Sequence, residues 1–386
     1  MSERSTDVAA LRAIFSGGGT GGHLFPALAI ADEIKRLAPG AEILFIGTAG
    51  KLEARVVPAK GYPFRAIWIS GFRRGWYWSN LLFPVKTVVS YVQARSIIKK
   101  FKPDVVVGTG GYVSGPVLRA AVRLKVPTLI QEQNSYPGVT TRLLAREVDE
   151  IHLTFESSRS HIGRKENVFV TGNPTRSDLE AASRADAFRY FGFDPSERKK
   201  TVLIFGGSLG ARPINRGMEL ALDHLVRHGV RIVWQTGEGD IEAERELCRQ
   251  YSPREVWVSA FIDRMDYAYA LSDLVVCRAG ATTIAELTRL GKPAILIPYP
   301  HAAANHQVEN AKAMVEQGAA DTLTDQQIGN RLEETIKAAL EDARLKAMGV
   351  RSKELGKPEA AAEIARRAIR LAEGRGDAFQ SRPAGR

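Results

Sequence analysis

Short apolar runs alternate with longer amphipathic stretches along the first 170 or so residues. The runs predict buried β-strands at residues 11–16, 42–47, 64–69, 104–108 and 128–130, followed by short strands at 149–153 and 167–170. The stretches between them predict helices, the clearest at residues 24–37 and in a segment that ends near residue 101. Strands that alternate with helices predict a parallel sheet with right-handed crossovers.

The alternation stops at Gly172-Asn173-Pro174-Thr175-Arg176, and no strand is predicted before residue 200. It restarts at 201–205, with later strands at 231–235, 256–258, 274–277 and 294–298, and helices near 214–228, 241–250, 282–290 and 304–316. The chain is therefore predicted to be α/β, with two Rossmann-like doubly wound domains facing across a cleft. We place these at residues 1–174 and 175–350, with a C-terminal helix within 351–373 and a disordered tail at 374–386.

Glycine-rich turns follow the first strand of each predicted domain. The first is Gly17-Gly18-Gly19-Thr20-Gly21-Gly22-His23, and the second domain has Gly206-Gly207-Ser208-Leu209-Gly210-Ala211. So many glycines are expected only where the backbone turns tightly or lies close to a ligand. Because the first N–H groups of a helix carry partial positive charge, both turns predict anion binding. Another such turn, Gly110-Gly111-Tyr112-Val113-Ser114, follows the fourth predicted strand.

A dinucleotide site is the main alternative for the first turn. Gly17, Gly19 and Gly22 fit the G-x-G-x-x-G pattern of NAD-binding proteins. That pattern also requires an acid at the end of the second strand, but the nearby acid, Glu42, lies at its start. A phosphate-binding P-loop also fails, because the sequence around Lys292 lacks the upstream glycine and the following hydroxyl.

The charge balance narrows the class of partner. The 386 residues contain 54 Lys and Arg against 43 Asp and Glu, a formal net charge of +11, which predicts an anionic partner. No DNA- or RNA-binding motif is present, so nucleic acid is not expected. The sequence has no apolar run of membrane-spanning length and no secretion-signal pattern at residues 1–10. Cys248 and Cys277 show neither metal-binding nor redox spacing, which fits a reducing cytosol.

Aromatic, aliphatic and basic residues are concentrated between residues 71 and 86. Tryptophan and tyrosine favour the membrane–water interface, and nearby cations attract anionic lipid. We therefore predict a membrane-binding patch, with a loop folded into the core as the alternative. Its residues are Phe72, Trp76, Tyr77, Trp78, Leu82 and Phe83.

A second group of polar residues follows the strand at 274–277. The segment from Arg278 to Glu286 opens a helix with Ala281, Thr282 and Thr283 in its first turn. The N–H groups there could bind a diphosphate, and Glu286 could accept hydrogen bonds from a ribose. The alternative is a capping box in which Thr and Glu serve only the helix. Further along, Asn305-His306-Gln307 supplies amides suited to sugar hydroxyls.

Taken in order, these motifs resemble the MurG family. The ones that carry the resemblance are Gly18–His23, Gly110–Pro116, Glu132-Gln133-Asn134, Gly172-Asn173-Pro174, Gly206–Ala211, Arg278–Thr283 and Asn305-His306-Gln307. Members are bacterial enzymes that transfer N-acetylglucosamine from UDP-N-acetylglucosamine (UDP-GlcNAc) to lipid I, giving lipid II for peptidoglycan. The resemblance implies a GT-B glycosyltransferase fold, a donor site in the C-terminal domain, and an acceptor and membrane site in the N-terminal domain. It also implies that the C-terminal helix returns to the first domain.

The resemblance assigns roles residue by residue. It places Thr20, Gly21, Gly22, Asn134, Arg176, Ser208, Ile262, Ala281, Thr282, Thr283, Glu286 and Gln307 at the donor, with the backbone of Ile262 reading the uracil. On the acceptor side it implies Gly110, Gly111, Tyr112 and Ser114. Many members have an acid where this chain has Ala304, which puts one polar contact in doubt.

The family chemistry is an inverting single displacement by the 4-hydroxyl of the N-acetylmuramic acid in lipid I. His23 is the first candidate for the general base, or else a support for the glycine turn, and Glu132 is the second candidate base. No metal is required, since helix amino ends can stabilise the diphosphate, although a non-essential divalent cation is compatible. The expected location is the cytoplasmic face of the bacterial plasma membrane. Three alternatives remain: transfer to another lipid acceptor, an NAD-dependent oxidoreductase, and a membrane-bound nucleotide-sugar sensor.

Overall fold

The computed structural model describes residues 10–71, 82–207, 209–302 and 305–374, without the side chains of Ser177 and Asp178. Contacts divide the chain into two compact units. The first contains the residues up to Arg176 and those from Glu359 onward, and the second is Ser177–Pro358. Our first predicted boundary followed residue 174. Our second followed residue 350, which lies inside a helix, Asp342–Glu354, that packs on Ala281–Leu290 in the second unit.

A seven-stranded parallel sheet forms the centre of the first unit. Its strands are β1 (Arg12–Gly17), β2 (Glu42–Thr48), β3 (Phe64–Ile67), β4 (Val105–Gly110), β5 (Thr128–Glu132), β6 (Glu150–Leu153) and β7 (Val168–Val170). Their order across the sheet is β3-β2-β1-β4-β5-β6-β7. Strands β1, β2, β4, β5 and β6 are largely buried and apolar because helices cover a parallel sheet on both faces, whereas Arg65 and Ala66 of the edge strand β3 are exposed.

The helices of this unit lie on the two faces of its sheet. They are α1 (Gly21–Leu37), α2 (Leu52–Ala59), α3 (Phe83–Phe101), α4 (Ser114–Arg123) and α5 (Val139–Leu144), with a 3₁₀ turn at Glu156–His161. Helix α1 begins at Gly21 rather than at the predicted residue 24, so two glycines of the first turn are helical. The helix at Ala360–Glu373 also belongs to this unit, where Ile364 and Ala368 are buried against α1.

The second unit repeats the design with six parallel strands. They are β8 (Lys200–Phe205), β9 (Val230–Gln235), β10 (Val256–Ser259), β11 (Leu274–Cys277), β12 (Ala294–Leu296) and β13 (Ala320–Thr322). The order is β10-β9-β8-β11-β12-β13. The sequence pattern missed β13, a three-residue strand too short to give a periodic signal.

The helices of the second unit include several that the pattern did not predict. In chain order, the helices of this unit are α6 (Arg184–Phe191), α7 (Arg212–Arg227), α8 (Ile241–Cys248), α9 (Met265–Leu271), α10 (Ala281–Leu290), α11 (His306–Glu316), α12 (Ile328–Ala339) and α13 (Asp342–Glu354). The pattern did not predict α6, α9, α12 and α13. The helix at Ala360–Glu373 in the first unit is α14. Helix α6 lies in the polar segment where no strand was expected. It begins at an N-cap, Ser183, whose side chain accepts from the N–H of Asp186.

Each sheet has a position where the strand order reverses. In the first unit it lies between β1 and β4, and in the second between β8 and β11. Ligands of open α/β sheets bind beyond the carboxyl ends of strands at such switch points. The glycine-rich turns follow β1, β4 and β8, and the Arg278–Glu286 segment follows β11. The topology therefore brings the predicted site residues of each unit to one edge of its sheet.

Candidate active-site residues in each unit

In the first unit, the turns after β1 and β4 touch each other. A Cβ atom on Gly111 would lie 2.4 Å from the carbonyl oxygen of Gly18, and the φ of Gly111 is +79°. Beside this contact, Thr109 Oγ1 donates a 2.7 Å hydrogen bond to the carbonyl of His23. Only glycine permits both the positive φ and the close backbone approach. The two turns therefore form one surface at the switch point.

Helix α1 starts at this surface without a side-chain cap. Thr20 is the N-cap residue, yet among the described residues its side chain accepts no N–H of the first turn. The first helical residues are Gly21 and Gly22, and the first turn contains no acid. Uncapped N–H groups at a helix start favour an anionic ligand.

The imidazole of His23 is held between the two turns. Its Nδ1 lies 3.1 Å from Thr20 Oγ1. On the other side, a Cβ atom on Gly110 would lie 2.6 Å from the Cδ2 and 3.1 Å from the Nε2 of this ring. When Nδ1 carries the proton, it donates a hydrogen bond to Thr20 Oγ1, and the lone pair of the ring that can accept a proton lies on Nε2.

The predicted acceptor residues differ in their exposure. Ser114 is fully buried, and its hydroxyl donates to the carbonyl oxygens of Ser16 (2.7 Å) and Gly110 (2.5 Å). It therefore ties α4 to the glycine turn and has no surface for a ligand. Tyr112 is partly exposed, and its ring lies beside Gly19, so of the two it is the one placed to contact a substrate.

The carboxylate of Glu132 holds the loop that follows β5. One oxygen accepts from the backbone N–H and the side-chain amide of Asn134, each at 3.1 Å. The other accepts from the N–H of Gly138 (2.9 Å) and from Thr141 Oγ1 (2.6 Å). Glu132 is only 3% exposed. This geometry favours positioning of Asn134 over proton transfer, and the catalytic role of Glu132 stays a prediction.

The supporting roles of two residues in this unit were not predicted, although one of them, Gln133, lies in the Glu132-Gln133-Asn134 motif. Glu53 is 1% exposed, and its carboxylate accepts from the N–H groups of Gly19 and Thr48, each at 3.1 Å. Gln133 donates a 2.7 Å hydrogen bond to the carbonyl of Thr109 and so joins the β5 loop to the β4 turn. An acid in the first turn of α2, directly after β2, is the signal that could have indicated Glu53.

In the second unit, the glycine turn after β8 approaches the end of β9. A Cβ atom on Gly210 would lie 1.9 Å from the carbonyl oxygen of Thr236, and Gly207 and Gly210 have φ values of +97° and +77°. Ser208, which the resemblance implies at the nucleotide, lies outside the described residues. The turn leads directly into α7, as the pattern predicts.

The amino end of α10 is also uncapped. Gly280 is the N-cap residue, and within the described residues no side chain caps it. The alternative capping box is wrong, because the N-cap is Gly280 and both Thr282 and Thr283 are already inside the helix, which begins at Ala281. The Oγ1 of Thr282 is buried and has no hydrogen-bond partner in the part of the chain that the structure describes. Both features leave this helix end available to an anion.

Glu286 lies one turn further along α10. Its Oε2 accepts a 2.9 Å hydrogen bond from the hydroxyl of Tyr269, which is 1% exposed. Tyr269 therefore fixes the carboxylate near the uncapped helix end. Tyr269 was not predicted from the sequence, since it lies 17 residues before Glu286 and no helix or strand repeat relates the two positions.

Other predicted donor residues already have partners. The N–H of Ile262 donates to Gln235 Oε1 at 2.9 Å, so reading a base through that N–H would require competition with Gln235. Gln307 Oε1 accepts a 2.9 Å hydrogen bond from the N–H of Tyr299, which leaves its amide NH₂ for a sugar. Arg176, partly buried, is the last residue of the first unit before the boundary.

The structure describes only two residues of the predicted membrane patch, Leu82 and Phe83. Phe72, Trp76, Tyr77 and Trp78 lie outside the described residues, whereas Leu82 is 50% exposed and Phe83 begins α3. Within residues 10–71, 82–207, 209–302 and 305–374, no helix is long and apolar enough to cross a membrane. The same residues contain no group of three or more His, Cys, Asp or Glu side chains that could hold a metal ion. The expectation that no metal is needed stays a prediction.

Comparison with known protein families identifies the class of enzyme to which the chain belongs. Residues 13–153 match the glycosyltransferase family 28 N-terminal domain, and residues 201–364 match the glycosyltransferase family 28 C-terminal domain. The chain is therefore a glycosyltransferase, and its two Rossmann-like units are those of the GT-B class. This decides against the NAD-dependent oxidoreductase and the sensor.

Individual relatives narrow the class to a family. A protein of Chlorobaculum parvum is 46% identical over 94% of this chain and 100% of its own length, and one of Christiangramia forsetii is 45% identical over 92% and 96%. Both are named UDP-N-acetylglucosamine--N-acetylmuramyl-(pentapeptide) pyrophosphoryl-undecaprenol N-acetylglucosamine transferase. The crystal structure of Acinetobacter baumannii MurG matches with a TM-score of 0.72 and 28% identity, covering 93% of this chain and 99% of that one. The chain belongs to the MurG family.

Proposed function

We propose that this protein transfers N-acetylglucosamine from UDP-GlcNAc to the 4-hydroxyl of the N-acetylmuramic acid of lipid I, which gives lipid II for peptidoglycan. The observation that carries the proposal is the uncapped amino end of α10 with the Glu286 carboxylate one turn along it, fixed by Tyr269. This pairing offers N–H groups to a diphosphate and an acceptor to ribose hydroxyls. The relatives named above carry the same activity in their names.

The second unit binds the donor in this proposal. Backbone N–H groups of Ala281, Thr282 and Thr283 contact the diphosphate, and Thr282 Oγ1 gains the partner it lacks among the described residues. Glu286 accepts hydrogen bonds from the ribose. The amide NH₂ of Gln307 contacts the hydroxyls of the transferred sugar, while its carbonyl oxygen stays on Tyr299.

The first unit binds the acceptor and supplies the base. His23 Nε2 takes the proton of the attacking hydroxyl, while Thr20 holds Nδ1. The hydroxyl oxygen forms a bond to the anomeric carbon from the face opposite the leaving group. The bond between that carbon and the phosphate oxygen breaks, and its electron pair leaves with UDP. Asn134, positioned by Glu132, contacts the sugar as it moves.

The charge that develops on UDP needs stabilisation. The positive end of the α10 dipole lies at its first turn, where no side chain of the described residues caps the N–H groups and where the motif predicts the diphosphate. These groups can stabilise electrostatically the negative charge that develops on the leaving UDP. We therefore propose that transfer proceeds without an essential metal.

We further propose that the protein binds the anionic surface of the plasma membrane, on its cytoplasmic face, through α3. Four apolar side chains spaced three or four residues apart project to solvent: Leu82, Val85, Val88 and Val92, between 50% and 64% exposed. Exposed basic residues continue the same helix toward its end, namely Arg95, Lys99 and Lys100. An apolar stripe followed by cations is the arrangement expected of an interfacial helix. Trp68, 48% exposed, adds an interfacial ring beside Lys86.

The donor half of the proposal is tested by calorimetric titration with UDP-GlcNAc and, separately, NADH. We expect binding of UDP-GlcNAc alone. Glu286→Ala should weaken it by about tenfold or more, the cost of losing a charged acceptor. Glu242→Ala, an 87%-exposed acid on α8, serves as the control and should bind as wild type does. If Glu286→Ala bound UDP-GlcNAc as tightly as wild type does, the proposed contact between Glu286 and the ribose would be wrong.

A further inference from the structure

Gln235 bridges two loops at the ligand edge of the second sheet. It is the last residue of β9 and is 2% exposed. Its Nε2 donates a 2.9 Å hydrogen bond to the carbonyl of Gly207, in the glycine turn after β8. Its Oε1 accepts a 2.9 Å hydrogen bond from the N–H of Ile262, in the loop after β10.

The position of β9 explains this bridge. The strand lies between β8 and β10 in the sheet, and adjacent strands are about 4.8 Å apart. A side chain at the end of the middle strand can therefore reach the loops that follow both neighbours. One loop is the glycine-rich turn Gly206–Ala211, which the sequence pattern predicts to bind an anion, and the other contains Ile262, to which the MurG resemblance assigns the uracil.

The chemistry of the bridge requires an amide of this length. One atom must donate to the carbonyl and the other must accept from the N–H, so the two contacts also fix which way the amide is turned. A carboxylate could accept from Ile262 but would oppose the Gly207 carbonyl with a second acceptor. The contact with the Ile262 N–H is buried, so leaving that N–H without a partner is costly, whereas the Gly207 carbonyl is partly exposed and also accepts from the N–H of Gly210 at 3.0 Å.

We propose that Gln235 is a positioning residue that holds the Gly207 turn and the Ile262 loop at one spacing, so that a single ligand can span both. The ligand class is a uridine diphosphate, whose base and phosphates engage the two loops together. This inference rests on the proposed function of the second unit. It predicts that losing the bridge weakens ligands that contact both loops more than ligands that contact one.

The test compares UDP and uridine on the purified full chain, using Gln235→Glu and Gln235→Met. The first variant keeps one acceptor, and the second removes both contacts without adding charge. We expect the affinity for UDP to fall about tenfold to a hundredfold, the donor KM to rise in parallel and kcat at saturating donor to change less. The affinity for uridine, measured by competition, should fall by a smaller factor. Gln250→Glu, an exposed residue after α8 in the same unit, is the matched control.

Several outcomes would overturn the proposal. The proposal is wrong if the folded variants bind UDP as wild type does. It is also wrong if the affinities for UDP and uridine fall by the same factor. If neither variant folds, hydrogen exchange on the wild-type protein decides: the Ile262 N–H should be protected without nucleotide, and rapid exchange would contradict the bridge. Failure of the wild-type protein to bind UDP would instead count against the proposed donor site itself.

Discussion

The carboxylate of Glu53 accepts a 3.1 Å hydrogen bond from the N–H of Gly19, inside the first glycine-rich turn. A second hydrogen bond of the same length comes from the N–H of Thr48, at the end of β2. A buried acid on α2 thus anchors the turn to the neighbouring strand. The conformation of the turn, with its φ of +86° at Gly19, depends on this support.

Removing this support should weaken both the fold and the acceptor side of the site. In Glu53→Ala, two N–H groups lose a charged acceptor, each worth about 1–3 kcal/mol. We expect the free energy of unfolding to fall by about 2–4 kcal/mol, measured by urea titration, and the acceptor KM to rise. Glu156→Ala removes an acid that is 70% exposed and paired with Arg159. It should change stability by less than about 1 kcal/mol, and an equal effect of both variants would refute the anchoring role.

His23→Ala removes the proposed base. With both substrates saturating, we expect kcat to fall about 10²- to 10⁴-fold while the binding of UDP-GlcNAc is kept, because the lost interaction belongs to proton transfer. His228→Ala, an exposed histidine after α7, is the control. Near-normal turnover of His23→Ala would reduce His23 to a support of the turn.

Exposed apolar residues of α3 should govern membrane binding. We expect Val88→Ser combined with Val92→Ser to weaken sedimentation with vesicles that contain phosphatidylglycerol, while transfer to a short-chain acceptor in solution is kept. Both side chains are more than half exposed, so their replacement should leave the fold intact. Leu220→Ser, 68% exposed on α7 of the second unit, tests whether any exposed apolar residue has this effect. Unchanged vesicle binding of the α3 variant would exclude this surface.

Glu244 makes the stability of the second unit depend on pH. Burial, and then the nearby Glu219 carboxylate, raise the pKa of Glu244 to about 8 from a usual value of 4.5. Between these values the folded protein keeps a proton that the unfolded chain releases. The free energy of unfolding should therefore fall as pH rises from about 5 to 8, by at most about 1.4 kcal/mol per pH unit.

Glu244→Gln stays neutral and should flatten this dependence. Urea midpoints between pH 5 and 8 can be followed by tryptophan fluorescence, to which Trp234 and Trp257 contribute from the second unit and the other three tryptophans from the first. Glu242→Gln, on the same helix and exposed, should keep the wild-type slope. A slope in Glu244→Gln equal to that of wild type would show that another group titrates.

Much of the fold follows from local sequence signals. Apolar runs such as 43–47 and 202–205 have no polar face, which is typical of parallel strands covered on both sides. The glycine-rich turns then identify the ligand edge, because few other structures need so many glycines. Short elements such as β13, and the start of α1 within the glycine turn, carry no such periodicity.

The supporting residues of the site could not be predicted in the same way. Glu53, Gln235 and Tyr269 act through contacts with residues 17 to 34 positions away, which only the folded chain brings together. Glu132 was predicted as a candidate base from its motif. Its carboxylate accepts four hydrogen bonds, from Asn134, Gly138 and Thr141, and the sequence could not predict this set because it depends on how the loop to Thr141 folds. Sequence motifs thus indicate where ligands bind, and the structure indicates what holds the motifs in shape.

The proposed reaction is tested by turnover with UDP-GlcNAc and a short-chain lipid I analogue, with the product identified by mass spectrometry and the new linkage by NMR. We expect one added N-acetylglucosamine, β-linked to the 4-hydroxyl of N-acetylmuramic acid, with one UDP released per transfer and activity kept in the presence of EDTA. Absence of that product, together with ready transfer to a different lipid acceptor, would contradict it.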